Sequence, residues 1–405
     1  MTINLSKKSE LNSTVDKGDD KSIDSIKKVE PKVKAESVKE TGEKIDNSLK
    51  SKINNFILKL SRVPHTEKLF FVQHLSIMLK AGISLSVALK TLAKQTQNKS
   101  FKKIITDLSE KVEKGISFTE SLKLHQKVFG ELFINMIEAG EISGKLEDVL
   151  KRLYIQLKKQ HELRSKVRGA LTYPAIIVFA MAGIGTFMMI VVVPKITEMF
   201  ADFEAELPLP TKILMSVSSA IVSNGLISIV VLAVLIITII QVLRTYKGKY
   251  YFQALILKLP IISPIIKKIS LASFARTISS LLKTDIMIIK TFQITSNVVG
   301  NLHYRKAIIE MSEKIKKGKS INELIANYPD LFPPVVTQMI MVGEETGELD
   351  NILEELAQFY ETEVDQIMNN LPSIIEPVLI LVLGVAVGSM AVAIIMPMYS
   401  ITEAI

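Results

Sequence analysis

Two short stretches carry residue types that could do chemistry. Gly140-Glu141-Ile142-Ser143-Gly144-Lys145-Leu146 places a carboxylate and a hydroxyl between glycines and runs into Gly-Lys, as a phosphate-binding loop does. A Walker loop needs four residues between the glycines, then Lys, then Ser or Thr, between a strand and a helix. Here three residues separate the glycines, Leu146 follows the lysine, and no strand pattern flanks the segment. The stretch returns as Gly343-Glu344-Glu345-Thr346-Gly347-Glu348-Leu349, with Glu348 in place of the lysine. A helix–turn–helix corner accounts better for both. Gly140 and Gly144, like Gly343 and Gly347, relax the backbone, and Ser143 or Thr346 caps the next helix. Glu141 and Glu344 are then candidates for partner contacts or internal ion pairs.

Little else in the chain offers a reactive constellation. Cys is absent, which excludes thiolate metal sites, disulfides and cysteine nucleophiles. His65, His74, His125, His161 and His303 form no metal spacing, and no Ser–His–Asp set or carboxylate pair follows from spacing. Glu376, beside Pro377, stands where an apolar run begins. Intramembrane carboxylates are functional candidates by default, but at a helix N-terminus the dipole favours a negative charge. An interfacial cap is the reading favoured here. The net charge of +9 could point to nucleic acid, yet the charges are segregated from the apolar runs in a way that points to a membrane. No cofactor, no metal and no directly bound nucleic acid are expected.

The elements that position these residues are duplicated. The two corners are separated by 343 − 140 = 203 residues. The same shift carries Phe71 onto Phe274, Gly115 onto Gly318, Ser117 onto Ser320, Phe129 onto Phe332, Pro174 onto Pro377 and Pro194 onto Pro397. One register held without a gap over such a length marks an internal repeat.

Residues 1–50 are charged, without aromatics, and are expected to be disordered. Ile53, Phe56, Ile57 and Leu60 make 51–64 an amphipathic helix that could lie on lipid, dock on a partner helix or pack on its own domain. Residues 65–172 and 244–372 read as helical bundles of about six helices each. Ser117 with Glu120, and Ser320 with Glu323, have capping-box spacing. Pro174 fits a first helical turn and opens the uncharged run Ala175–Val193, whose nineteen residues span about 28 Å, close to the hydrocarbon thickness of ~30 Å. Membrane spans are expected at 173–195, 213–243 and 373–399, with a short external loop at 196–212 and an external C-terminus at 400–405. Gly183 and Gly185, and Gly384 and Gly388, allow close helix approach.

Lys158, Lys159, Arg164, Lys166 and Arg168 precede the first span; Arg244, Lys247 and Lys249 follow the second, and the loop between is acidic. The positive-inside bias places both bundles and the N-terminus in the cytoplasm. The middle span then returns the chain so that both copies face one side. The fold class expected is an all-α membrane protein: two duplicated cytoplasmic bundles with three transmembrane helices.

Lys166-Val167-Arg168-Gly169-Ala170-Leu171-Thr172-Tyr173-Pro174 leading to Pro194, both Gly-Glu-x-(Ser/Thr)-Gly-x-Leu corners, Leu79-Lys80-Ala81-Gly82 and three spans resemble the type II secretion F proteins, which include the inner-membrane platform proteins of type IV pili. The likeness covers about 66–399; Thr284-Asp285 departs from it at the position of Ala81-Gly82. The resemblance implies a non-enzymatic, homo-oligomeric scaffold of the bacterial inner membrane. Its implied partners are a cytoplasmic assembly ATPase, pilin or pseudopilin subunits and other inner-membrane assembly proteins. A membrane transporter and a membrane-tethered regulator reading a cytoplasmic ligand are the competing classes. Three nearly apolar spans are few to enclose a transport path.

Overall fold

The structure is a computed structural model that describes residues 63–201 and 209–404; the expected disordered segment and most of the expected amphipathic helix at 51–64 lie outside these residues. Every described element is helical. The first copy comprises α1 (His65–Lys80), α2 (Leu85–Gln95), α3 (Lys99–Glu113), α4 (Phe118–Lys123), the short α5 (Gln126–Phe129), α6 (Glu131–Ser143) and the long α7 (Leu146–Phe187). A π turn (Met188–Val192) and α8 (Val193–Ala201) continue it. Next come α9 (Leu209–Ser223), α10 (Gly225–Arg244) and α11 (Tyr246–Ile256). The second copy is α12 (Ile262–Leu282), α13 (Ile288–Val298), α14 (Leu302–Ile315), α15 (Ile321–Ala326), α16 (Pro334–Thr346) and α17 (Leu349–Ala404). The 203-residue shift superposes α2 on α13, α4 on α15 and α6 on α16, end for end.

Each bundle forms because its helices bury one apolar face. Phe71, Phe101 and Phe129 meet in the first core with ring centroids 5.6 to 6.1 Å apart. Their equivalents Phe274, Tyr304 and Phe332 make the second core. Where copy one has Phe101, the Tyr304 hydroxyl needs an acceptor and donates to the Leu331 carbonyl at 2.5 Å. Burial pushes that phenol's pKa well up. A third apolar cluster, Val364, Met368 and Leu371 with Leu163 and Val167, joins α7 to α17 near the membrane end of the bundles.

Among the described residues three helices are long and apolar enough to cross a membrane. Their limits differ from expectation in three ways. Pro174 and Pro377 do not open new helices: α7 runs 42 residues and α17 runs 56, straight through them. At 1.5 Å per residue these rods are about 63 and 84 Å long. The preference of proline for a first turn looks the same in sequence as its tolerance inside a membrane helix, where neighbours re-satisfy the freed backbone. Pro174 is buried among them. Pro194 does not end the first span either. It follows the π turn, whose wider bore accommodates a ring that would clash with the carbonyl four residues back. Finally, the second span breaks at Asn224. The Ser228 hydroxyl reaches the Ala220 carbonyl at 2.9 Å, although residues eight apart in a straight helix are about 12 Å apart. The crossing is therefore α10, with 20 residues or about 30 Å. Helix α9 packs separately, its Thr211 donating to the Ala393 carbonyl and its Ser218 to the Met189 carbonyl, both at 2.6 Å.

Candidate coupling site: two corners and a seam

At each corner two helices approach until only a hydrogen fits. A Cβ on Gly140 would lie 2.9 Å from Val149, and one on Gly343 3.0 Å from the Leu349 Cα. Gly144 and Gly347 then end the incoming helix at φ 70° and 76°, the left-handed region glycine enters without strain. The expected caps from Ser143 and Thr346 are not made. Both residues still belong to the incoming helix, and their hydroxyls fold back to the Gly140 and Val342 carbonyls at 3.5 and 2.8 Å. Lys145 occupies the first true N-cap and supplies no side-chain bond.

Glu141 and Glu344 form no ion pair among the described residues. Each carboxylate instead caps a helix that began 23 residues earlier in the chain. Glu141 accepts from the Phe118 and Thr119 amides at 2.8 and 2.9 Å and from the Thr119 hydroxyl at 2.5 Å. Glu344 accepts from the Ile321 amide at 2.8 Å and the Asn322 amide at 3.1 Å. A negative charge at a helix start meets otherwise unpaired N–H groups and the positive end of the dipole. Ser117 adds the first half of its capping box, accepting from the Glu120 amide at 3.1 Å. The box expected at Ser320 fails because Asn322 intervenes, taking the Ser320 hydroxyl proton at 2.7 Å and the Glu323 amide at 2.6 Å.

The copies meet along a seam that motif reading missed. Gln156 on α7 is fully buried; its Nε2 donates to the Thr277 hydroxyl at 3.2 Å, and its Oε1 accepts from the Ser280 hydroxyl at 2.8 Å. Arg276 grips Glu361 through two bonds of 2.7 and 2.9 Å and reaches Glu354 at 3.5 Å. Lys159 of the first copy joins Glu361 at 3.6 Å, Lys166 pairs with Asp365, and Asn297 donates to Glu131 at 2.8 Å. The hydrogen bond from Lys283 holds the Glu354 carboxyl below the usual carboxylate range, with Arg276 assisting. The overlooked residues share one signal: they break the repeat. Gln156 aligns with Phe359, Arg276 with Gln73, Glu354 with Lys151 and Glu361 with Lys158.

The remaining candidates lie along the rods rather than at the corners. Tyr173 and Glu376, equivalent by the shift, are both exposed. Since α17 is continuous from Leu349, no helix N-terminus exists at Glu376, and the dipole-cap reading falls. Pro377 is exposed and Pro397 lies within α17 near its end. Among the described residues no group of His, Asp and Glu could hold a metal. A cavity of about 1190 Å³ opens beside α7, α11 and α12, walled by Leu171, Phe179 and Phe252 with Arg168 and Lys249 among its lining.

The arrangement, two welded bundles continuing into membrane helices, can be compared with known proteins. The model of the family "Type II secretion system (T2SS), protein F" matches the chain twice, over residues 71–194 and 274–397, offset by the same repeat shift. The chain belongs to that family. It is similar to a type IV pilus assembly protein PilC of Thermus thermophilus, 36% identical over 84% of each chain. A second PilC, from Myxococcus xanthus, is 35% identical over 83% of this chain and 81% of its own. A type II secretion system protein F of Aeromonas hydrophila is 28% identical over 90% of this chain and 93% of its own. The relatives are thus components of pilus-assembly and secretion machinery, and the fold of this family member is an all-α membrane protein with a duplicated bundle.

Proposed function

We propose that this protein is the inner-membrane platform of a type IV pilus or type II secretion machine. In this reading it is non-enzymatic and couples a cytoplasmic assembly ATPase to extraction and polymerisation of pilin or pseudopilin. It does so as a homo-oligomer with other inner-membrane assembly proteins, both bundles and the N-terminus facing the cytoplasm. One observation carries the reading: α7 and α17 each run unbroken from a bundle core into an apolar span. A bundle pushed or turned at its outer face passes that displacement to its anchor, because a hydrogen-bonded rod does not absorb it. The seam makes the anchors respond together. The cluster of Lys and Arg at the bundle ends of the spans supports the cytoplasmic assignment.

Softening a rod tests this. Replacing both His161 and Ser165 by Gly weakens α7 by about 0.5 kcal/mol per position while keeping the Arg164 contact with His65 at 3.1 Å, the basic cluster and the apolar span. Filament assembly is expected to drop sharply while membrane level and co-purification of the ATPase hold. Normal filaments would refute rod-borne coupling. Orientation is checked separately: single cysteines placed in each bundle of this cysteine-free chain should label only from the cytoplasmic side.

A further inference from the structure

The contact that joins the two copies is not two-fold. Within the chain Gln156 of copy one meets Thr277 and Ser280 of copy two. The 203-residue shift assigns each of these an equivalent: Phe359 for Gln156, His74 for Thr277 and Ile77 for Ser280. In a two-fold contact Phe359 would cover Ile77. Instead both lie open, Phe359 51% and Ile77 55% exposed. The chain therefore makes a head-to-tail junction once and carries the two halves of the same junction uncovered, one on each copy.

Both uncovered halves present large apolar side chains, with His74 beside them, where the internal contact uses an amide and two hydroxyls. On α1, the Phe70 and His74 rings meet at a tilt with centroids 3.9 Å apart, and with Ile77 these residues follow one helix face. On the second copy Val335 is 45% exposed alongside the 51% of Phe359, whereas its equivalent Leu132 is buried. Large apolar residues left exposed on a soluble bundle mark an interaction site. We infer that a second copy of this chain covers them: Phe359 of one subunit seats against His74 and Ile77 of the next, as Gln156 seats against Thr277 and Ser280 within a chain. The rotation relating copy one to copy two is thereby repeated between chains. Such a heterologous contact closes into a ring or extends as a series. Both rods run from bundle to span in the same sense, so every subunit added this way keeps its anchors in one bilayer. The inference rests on the multi-copy platform reading above and supplies its interface.

The absence of native cysteine makes the test clean. Ile77→Cys and Phe359→Cys are combined in the full-length protein and oxidised in membranes; a disulfide requires Cα atoms within about 7 Å. Gln156→Cys with Ser280→Cys is the internal reference, expected to lose both thiols without forming dimers. The I77C/F359C pair is expected to give covalent dimers and a ladder above them, and each single variant none. Cross-linking by a single variant, or none by the pair while the reference closes, overturns the proposal. As a second measurement, Phe359→Glu is expected to reduce the purified particle from several chains to one; an unchanged mass overturns it. A chain that captures the ATPase yet fails to cross-link sinks the interface and leaves the platform; one that cross-links but captures no ATPase does the reverse.

Discussion

Replacing Glu141 by Ala removes the remote cap of α4, and its effect can be worked from the bonds it makes. Three donors lose their acceptor: the Phe118 and Thr119 amides and the Thr119 hydroxyl. A hydrogen bond to a charged group contributes about 1.5–3 kcal/mol and an ordinary N-cap about 1 kcal/mol. The donors are not independent, and the half-buried carboxylate leaves a site that water can reach, so the net local loss is about 2 kcal/mol. Tenfold corresponds to 1.4 kcal/mol, so amide exchange at Phe118 and Thr119 should quicken about 30-fold. Hydrogen–deuterium exchange of the full-length protein in detergent reads this on peptides covering 116–122. The equivalent amides of Ile321 and Asn322, capped by Glu344, are the internal control and should not move. Glu141→Gln keeps one acceptor oxygen and should fall between. Unchanged exchange at Phe118 and Thr119 in the alanine variant would refute the cap.

Gly140→Ala and Gly343→Ala each force a methyl into backbone or Val149 contact and should destabilise their own bundle by about 1–3 kcal/mol, read as a lowered unfolding midpoint. Glu354 has its pKa depressed from 4.5, so the stability it contributes is present above the unfolded-state value and is lost as pH falls through the folded one. The difference in stability between the native protein and Glu354→Gln should therefore be constant above about pH 4.5 and shrink progressively as pH falls below it. Double charge reversal, Glu141→Lys with Glu344→Lys, should reduce filament assembly without expelling the protein from the membrane; normal filaments would remove any functional role for the corners. A double-mutant cycle between Gln156→Ala and Ser280→Ala should show coupling of about 1 kcal/mol, since the two share a hydrogen bond between a buried amide and a half-buried hydroxyl.

Much of the architecture is legible because it is written in local chemistry and written twice. Glycines 144 and 347 mark turns on their own, and the aromatic positions 71, 129, 274 and 332 repeat without a gap. Proline is less informative. Pro174 and Pro377 satisfy a rule for helix starts, yet a membrane helix tolerates them inside, and only packing distinguishes the two. Asn224-Gly225 was readable as a break but sits within a run whose apolar character masked it. The roles of Glu141 and Glu344 depend on a helix 23 residues away, which corner chemistry does not contain. The seam is the least legible part. Gln156 and Arg276 look like ordinary polar residues of amphipathic helices until the repeat shows that they differ from their twins.

The π turn at Met188–Val192 has no counterpart in α17. A stretch wound at more residues per turn falls behind a regular helix by roughly a quarter turn over its length. Past residue 192, positions that align one to one between the copies consequently point along different azimuths. The distal ends of the two anchors therefore keep the alignment of the repeat but lose its common bearing around the helix axis.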